Sequence, residues 1–286
     1  MAAVTRYPLA EARSLPSKTP VGRTILARSI VAGLVFLIAY VCYLKYARTP
    51  VSHVDVYDAF ETRELSAIWG TSRFVRGAVT MQSEFVRAGR GAAKVVVHSR
   101  DKFEAGINGD KDSERAELEE AETLLSKENR TYEYSFSMLI PADFPIVPTR
   151  LVIAQWKQDC DGHVNCSDDS PVVAVRYVSG VLQITHQTGR HRTVLFETDE
   201  NLRGKWNDFR FQIRFSPTES GRLQGWLNGK LVVDYSGVNA YPENASTGYA
   251  DPSRFYFKMG LYRDVMAEPM TIYIDEYRKR QLPDGI

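Results

Sequence analysis

A strict alternation of apolar and polar residues over residues 208–215 limits what this chain can fold into. The order is Phe209, Arg210, Phe211, Gln212, Ile213, Arg214, Phe215. Successive side chains of a β-strand point to opposite faces, so this pattern predicts a strand with one buried face and one solvated face.

Other segments also have the sequence features of β-strands and hairpin turns. Asn228-Gly229, between two alternating runs, predicts a hairpin over Leu223–Val233. Further strands are predicted at Ala93–His98, Tyr132–Ile140, Val172–Tyr177, Val181–Gln187 and Thr271–Tyr277. Only Glu117–Lys127 has a helix-like composition, and it is short. Many strands without long helices predict an all-β fold, a two-sheet sandwich or jelly roll.

The N-terminal segment differs from the rest. Residues 1–28 contain one acid, Glu11, and five basic residues: Arg6, Arg13, Lys18, Arg23 and Arg28. The uncharged apolar run Ile30–Leu44 follows, and it is shorter than the roughly 20 residues that usually cross a bilayer. Lys45 and the nearby tyrosines suit a membrane interface. We therefore expect an uncleaved transmembrane signal anchor at 29–46, with a cleaved signal peptide as the alternative.

This anchor predicts the domain organisation. The basic segment 1–28 would stay cytoplasmic, and the remainder would be exported to the periplasm or the extracellular space. Residues 47–55 would be a linker, 56–280 the folded domain and 281–286 a C-terminal tail.

The formal net charge of +1 gives no field that would attract nucleic acid.

Two cysteines bracket a short polar loop in the exported part. Cys160 and Cys166 indicate a disulfide there, and two free thiols are the alternative. The wider loop 159–169 contains four acids: Asp159, Asp161, Asp168 and Asp169. Their spacing lacks the EF-hand pattern, so we expect no cofactor, with bound calcium as the alternative.

The strand predicted at 253–263 carries the most chemically informative side chains. Its apolar face contains Phe255, Phe257, Met259 and Leu261. The opposite face contains Tyr256, Lys258 and Tyr262, with Gly260 leaving a gap that a ligand can approach. An amine and two phenols suit the binding and protonation of a polyanion.

Two other segments place polar groups on one face. Arg115 and Glu117 alternate with apolar residues, and so do Gln155 and Lys157. Side by side with the 256–262 strand on a concave sheet, these segments would form one groove with cations, an amide and phenols.

Such a groove fits β-elimination on a uronic-acid polymer. The C5 proton is weakly acidic because the carboxylate beside it is negative, so the enzyme must stabilise the enolate-like intermediate. Arg115, Gln155 and Lys258 are suitable donors. Tyr262 can protonate the leaving oxygen, and as a phenolate near cations it can also act as the base.

Three motifs carry a resemblance to a known family. Arg-Ala-Glu-Leu, Ala-Gln-Trp-Lys and Tyr-Phe-Lys-Met-Gly-Leu-Tyr resemble, in order, signature strands of jelly-roll polysaccharide lyases of the alginate, glucuronan and heparin lyase I-like groups. Gly204–Phe209 and Gly225–Gly229 also resemble heparin lyase I-type domains, so the resemblance covers roughly residues 56–280. It implies that residues 56–280, which follow the expected transmembrane helix in the sequence, form a concanavalin-like β-jelly roll sandwich. It also implies that this domain cleaves an acidic polysaccharide.

The resemblance also implies roles for single residues. Arg115 and Gln155 would contact the substrate carboxylate, Lys258 would bind substrate, and Tyr262 would be the catalytic tyrosine. Lys157 stands where alginate lyases have the histidine of Gln-x-His, which leaves the catalytic base open.

Two histidines are possible substitutes for that base, His186 and His163, and Tyr262 performing both proton transfers is a third possibility. His186 alternates with Leu182 and Ile184, so a structural histidine in the core is its alternative interpretation. The remaining substrate-binding candidates are Lys157, Tyr256, Arg263 and Glu117, of which Glu117 would also orient Arg115.

Two other functions compete with a lyase. A non-catalytic glycan-binding module would explain the missing histidine. A glycoside hydrolase would need two carboxylates flanking one bond, and no strand here has the Glu-x-Asp-x-x-Glu spacing of such sandwiches.

Overall fold

Strands make up most of the described chain, which in this computed structural model comprises Leu37 and residues 54–101, 113–159, 170–242, 249 and 252–283. The chain divides into a unit of residues 1–49 and a unit of residues 50–286, and the fold described below is that of the second. The predicted anchor at 29–46, except Leu37, lies outside the described residues, as do Cys160, Cys166 and His163. No helix within the described ranges is long and apolar enough to cross a membrane.

Sixteen strands follow one another along the described residues of the second unit. The first eight are β1 (Asp55–Asp58), β2 (Trp69–Arg73), β3 (Val79–Gln82), β4 (Ala92–Val97), β5 (Ser113–Glu120), β6 (Ser126–Lys127), β7 (Thr131–Ile140) and β8 (Leu151–Gln158). The last eight are β9 (Val173–Val178), β10 (Val181–His186), β11 (Thr193–Thr198), β12 (Lys205–Arg214), β13 (Arg222–Leu227), β14 (Lys230–Ser236), β15 (Arg254–Asp264) and β16 (Met270–Gln281).

The strands form two eight-stranded sheets. Sheet 1 has the order β14-β13-β12-β7-β16-β4-β3, with β1 added beside β16. Sheet 2 has the order β11-β10-β9-β8-β15-β5-β2, with β6 added beside β15. All these pairings are antiparallel. The predicted all-β sandwich is therefore confirmed.

Sequence alternation explains which strand faces meet. In β12, Phe209, Phe211 and Ile213 are fully buried, whereas Arg210 is exposed, as the alternation predicted. The hairpin from β13 to β14 turns at Asn228 and Gly229, both with positive φ (50° and 81°), as expected for an Asn-Gly turn.

Aromatic rings fill the space between the two sheets. Trp156 of sheet 2 lies 4.7 Å from Phe211 of sheet 1, and Phe257 of sheet 2 lies 5.6 Å from Phe136 of sheet 1. These distances join ring centres and are typical of packed aromatic pairs. The apolar face predicted for the 253–263 strand is thus the core face of β15, which leaves its other face for chemistry.

The segment with helix-like composition is mostly not helical. Residues 117–120 end strand β5, a single 3₁₀ turn spans Glu122–Leu124, and β6 follows. Every second residue of β5 is buried against the core, including Ala116, Leu118 and Glu120. Burial within a sheet has overridden the intrinsic helix preference of glutamate.

A buried ion pair links the sheets. Lys279 of β16 and Glu120 of β5 have fully buried side chains, and their charged atoms lie 2.8 Å apart. Glu120 also accepts hydrogen bonds from the Tyr277 hydroxyl and the Phe257 amide. The Lys279 ammonium also donates to the Leu124 carbonyl, so both charges are well satisfied.

Candidate active site

Strand β15 sits between β8 and β5, and this order brings three sequence motifs together. Lys258 is opposite Gln155 of β8 on one side and Glu119 of β5 on the other. Tyr262 is opposite Arg115 of β5. Directly paired residues of antiparallel strands point to the same face. The four residues expected to share a groove, Arg115, Gln155, Lys258 and Tyr262, therefore lie on one face of sheet 2.

Gly260 has a backbone role that the sequence analysis did not predict. Its φ is +142°, and a β-carbon at this position would lie 2.1 Å from the Ala116 carbonyl oxygen and 2.9 Å from the Glu117 α-carbon. The β15–β8 pairing shifts register between Met259 and Tyr262. The backbone itself therefore requires glycine here, and the interpretation of Gly260 as a gap for the ligand stays a prediction.

Tyr262 lies among guanidinium groups. The guanidinium carbon of Arg115 is 4.3 Å from the centre of the Tyr262 ring, and that of Arg150 is 4.7 Å from it. Arg150 also pairs with Asp264 at 2.8 Å. These contacts are within cation–π range and surround the phenol with positive charge.

Glu117 connects two of the proposed donors. It is 1% exposed, and its carboxylate accepts a hydrogen bond from the side-chain amide of Gln155. The other carboxylate oxygen lies 3.8 Å from Arg115. The contacts of Glu117 are thus with neighbouring protein groups: a hydrogen bond from Gln155 and an ion pair with Arg115.

Lys258 occupies the neighbouring part of the face. It is 3% exposed, its ammonium lies 3.2 Å from Glu119, and it lies 4.9 Å from the centre of the Tyr256 ring. Lys157 is directly opposite Tyr256 in the β8–β15 pairing and is partly exposed. Tyr256, Lys157 and Lys258 therefore share the face with Tyr262.

Arg263 does not share that face. It is fully buried and forms an ion pair at 2.7 Å with Glu114, which is opposite it in the β5–β15 pairing. Arg263 is one residue after Tyr262 and points the other way, towards the interior. The prediction of Arg263 as a substrate contact is corrected: its guanidinium compensates a buried carboxylate.

His186 is also remote from the groove face. Its ring is 7% exposed and lies 4.9 Å from the ring of Tyr235, which belongs to sheet 1. Burial lowers the pKa of His186, while a hydrogen bond with the Val238 backbone raises it. His186 therefore lies between the sheets, as its alternation with Leu182 and Ile184 indicated, and we drop it as a candidate base.

One residue of the face was missed by the sequence analysis. Arg176 of β9 is opposite Val152 of β8, and Val152 is opposite Tyr262. Arg176 is 6% exposed, and its Nε donates to the Thr185 hydroxyl at 3.2 Å. The available signal was a single arginine between Val175 and Tyr177, both of which point into the core.

The charges that act on Arg176 include those of residues near Tyr262. Burial, followed by the positive charges of Arg192 and Arg150, lowers the pKa of Arg176 from its ordinary value to about 10, and Tyr262 acts in the opposite direction. Arg176 therefore belongs to the same electrostatic environment as Tyr262.

A pocket of about 450 Å³ on sheet 1 is a less suitable site. It contains Trp226, but the Arg210 guanidinium stacks on that ring at 3.8 Å. Arg210 also pairs with Glu133, and Arg278, in the same pocket, pairs with Asp55. The phenol of this pocket, Tyr57, donates to Glu276, so the cations and the phenol of this surface already have partners. Among the described residues, no group of three or more His, Cys, Asp or Glu side chains could hold a metal ion.

Solved structures with similar folds were found. An endo-β-1,4-glucuronan lyase from the fungus Trichoderma reesei superposes with a TM-score of 0.58 at 18% identity, covering 79% of this chain and 95% of that one. The alginate lyase AlgAT5 of Polysaccharide Lyase family 7 gives 0.50 at 15% identity, covering 73% and 84%. The cellulose induced protein Cip1 gives 0.51 at 12% identity, covering 81% and 99%.

At these identities the superpositions show the fold alone. No curated protein sequence matched this chain significantly. The family model described as polysaccharide lyase, however, matches residues 56–278, well over half of the chain. On that match, the chain belongs to the polysaccharide lyase family.

Proposed function

We propose that this lyase cleaves a uronic-acid-containing polysaccharide by β-elimination on the outer face of sheet 2, with Tyr262 at the reacting sugar. The observation that carries the proposal is the position of the Tyr262 ring beside the guanidinium groups of Arg115 and Arg150, on the face shared with Gln155 and Lys258. The glucuronan and alginate lyases with similar folds act on polymers of this class according to their names.

In the first half of the reaction, the C5–H bond breaks and its electrons delocalise into the uronate carboxylate. Arg115 and Gln155 stabilise that charge, since both are donors already oriented by Glu117. In the second half, the electrons form the C4–C5 double bond, the C4–O4 bond breaks, and O4 receives a proton.

Tyr262 performs both proton transfers in this proposal. Its phenolate, stabilised by the guanidinium groups, takes the C5 proton, and the resulting phenol returns a proton to O4. One oxygen serves both positions when the C5 hydrogen and O4 lie on the same side of the sugar ring. The proposal therefore favours polymers of glucuronate or mannuronate, whose configuration meets this condition, over guluronate or galacturonate.

Other features of the protein also belong to this proposal. The sandwich is a concanavalin-like β-jelly roll, held at a membrane by the anchor at 29–46, with the lyase domain exported. Cys160 and Cys166 form a disulfide in the exported domain, and the reaction needs no cofactor. The support for these points is the apolar run, the cysteine spacing and the cation-rich face described above.

The decisive experiment measures the ultraviolet absorbance of the unsaturated uronate product. The protein is incubated with a panel of uronic-acid polymers, and absorbance should rise on at least one of them. Tyr262→Phe should reduce the rate by about 10²–10⁴-fold because it removes the acid–base hydroxyl. Tyr57→Phe is the matched control, since its hydroxyl is bound to Glu276 on sheet 1.

Two results would contradict the proposal. Turnover by Tyr262→Phe at the wild-type rate would remove Tyr262 from the mechanism. Binding of uronate polymers without any unsaturated product would favour a non-catalytic glycan-binding module, and polymer cleavage without that product would favour a hydrolase.

A further inference from the structure

Arg176 is a buried cation whose charge the described protein does not neutralise. Its side chain is 6% exposed, and the only hydrogen bond found for it among the described residues joins its Nε to the Thr185 hydroxyl. No carboxylate within the described ranges lies within 4.0 Å of its guanidinium. An isolated charge is costly to bury, so its retention at this position calls for a partner.

The other cations of the face differ from Arg176 in this respect. Arg115 lies against Glu117, and Lys258 lies against Glu119. Arg176 instead has further positive charges nearby, those of Arg150 and Arg192. Arg150 is itself paired with Asp264, so among the described residues of this cluster the buried charge left without a partner is that of Arg176, and a ligand anion would compensate it.

The sheet register places Arg176 at a defined distance from the reacting position. Tyr262, Val152 and Arg176 are opposite one another on three adjacent strands and share one face. Two strand spacings separate the backbones of Tyr262 and Arg176 by about 10 Å. A group bound by Arg176 therefore lies to one side of the group that reacts at Tyr262.

We propose that Arg176, oriented by Thr185, binds a second acidic group of the glycan, a carboxylate or sulfate on the sugar beside the one that Tyr262 deprotonates. This inference rests on the proposed function and deepens it. The planar guanidinium presents its terminal N–H groups in a fork that matches either anion. Arg176 then acts as a specificity-determining residue for polymers with acidic groups on neighbouring sugars.

The test uses binding, so it does not depend on turnover. Arg176→Gln is introduced into the Tyr262→Phe protein, and calorimetry measures the affinity for three oligosaccharides of equal length. The first is a contiguous oligouronate, the second alternates uronate with neutral sugar, and the third is the second with sulfate on the neutral sugar. Arg210→Gln, on sheet 1, is the control.

We expect Arg176→Gln to weaken binding of the contiguous oligouronate, the sulfated alternating one, or both by about 10- to 100-fold, the usual effect of losing a charge-assisted hydrogen bond. A loss limited to the first identifies carboxylate as the bound group, and a loss limited to the third identifies sulfate. The unsulfated alternating oligosaccharide should bind equally to both proteins. An equal loss on all three, or no loss on any, would overturn the proposal.

Thermal stability separates ligand binding from a structural role. Arg176→Met removes an uncompensated buried charge, so its Tm should equal or exceed that of the parent protein while binding is weakened. A large fall in Tm accompanying the loss of binding would assign Arg176 to the fold and overturn the proposal.

The two proposals can fail separately. If the wild-type protein never yields an unsaturated product yet binds contiguous oligouronates through Arg176, the lyase mechanism fails and the anion site stands. If the product forms and Arg176→Gln changes neither affinity nor polymer preference, the anion site fails and the lyase mechanism stands.

Discussion

Arg115 and Tyr262 are opposite each other in the β5–β15 pairing, and the Arg115 guanidinium carbon lies 4.3 Å from the centre of the Tyr262 ring. Arg115 thus contacts the proposed acid–base, Tyr262, and is also the proposed ligand of the substrate carboxylate. Arg150 contacts the same ring at 4.7 Å but is also paired with Asp264.

Replacing Arg115 should therefore damage catalysis more than replacing Arg150. We expect Arg115→Ala to lower kcat by about 10²–10³-fold through loss of charge stabilisation, with Arg115→Lys intermediate because an ammonium lacks the planar fork. Steady-state rates of product absorbance test this. Equal losses in Arg115→Ala and Arg150→Ala would show that only the summed charge matters.

Substitutions of Glu117 test whether this residue orients Arg115 and Gln155 or itself takes the substrate proton. Glu117→Gln keeps an acceptor for Gln155 but removes the ion pair with Arg115, whereas Glu117→Ala removes both contacts. An orienting role predicts a loss of kcat of about 10-fold for Gln and a larger one for Ala. If Glu117 were the base, both substitutions would abolish turnover alike.

Gly260 should tolerate no side chain. Gly260→Ala places a β-carbon 2.1 Å from the Ala116 carbonyl oxygen at a φ of +142°. We expect a loss of about 2–5 kcal/mol in the free energy of unfolding, measured by urea titration. Gly189→Ala is the control, because its β-carbon would meet nothing within 4 Å. Equal stability of the two variants would contradict the interpretation of Gly260.

His186 should affect stability in a pH-dependent way without affecting turnover. Burial lowers its folded-state pKa below the ordinary value of 6.5, so the unfolded state binds the proton first as the pH falls. Its contribution to stability is therefore present above about pH 6.5 and is lost below it.

The variant His186→Phe keeps a ring against Tyr235 and removes the titrating group. Its Tm should fall less than that of the wild type between pH 7.5 and 5.5, values chosen to bracket the ordinary pKa of histidine. Its kcat should match the wild type. A kcat reduced by orders of magnitude would restore His186 as a catalytic candidate.

Removing one partner of the ion pair between Lys279 and Glu120 should destabilise the protein more than replacing both. Lys279→Met leaves the Glu120 carboxylate buried without its cation and should cost about 3–5 kcal/mol in the free energy of unfolding. The double variant Lys279→Met/Glu120→Gln should recover much of that loss, as a double-mutant cycle by urea titration would show. A double variant with the summed loss of the two single variants would mean that the two side chains are not coupled.

The sequence determined the class of fold and the face of most strands. Alternation at Phe209, Phe211 and Ile213 and the Asn228-Gly229 turn depend on local geometry, in which neighbouring side chains point to opposite sides. The same local rule placed Lys258 and Tyr262 on one face of their strand. The three motifs that resemble polysaccharide lyases indicated the same lyase chemistry, because in each of them the polar residues alternate with apolar ones.

Only the tertiary structure decided which strands are neighbours and which partners satisfy the polar residues that face inwards. The non-local order β9-β8-β15-β5 brings Arg176 into line with Tyr262 and Arg115, although these residues are far apart in the sequence. Alternation puts Arg263 on the core side, and its charge is tolerated there because Glu114, on the neighbouring strand, is its buried partner. Gly260 is glycine because another strand's backbone comes close. Strand order, charged partners and the close approach of another strand depend on residues distant in sequence, and local alternation carries no information about them.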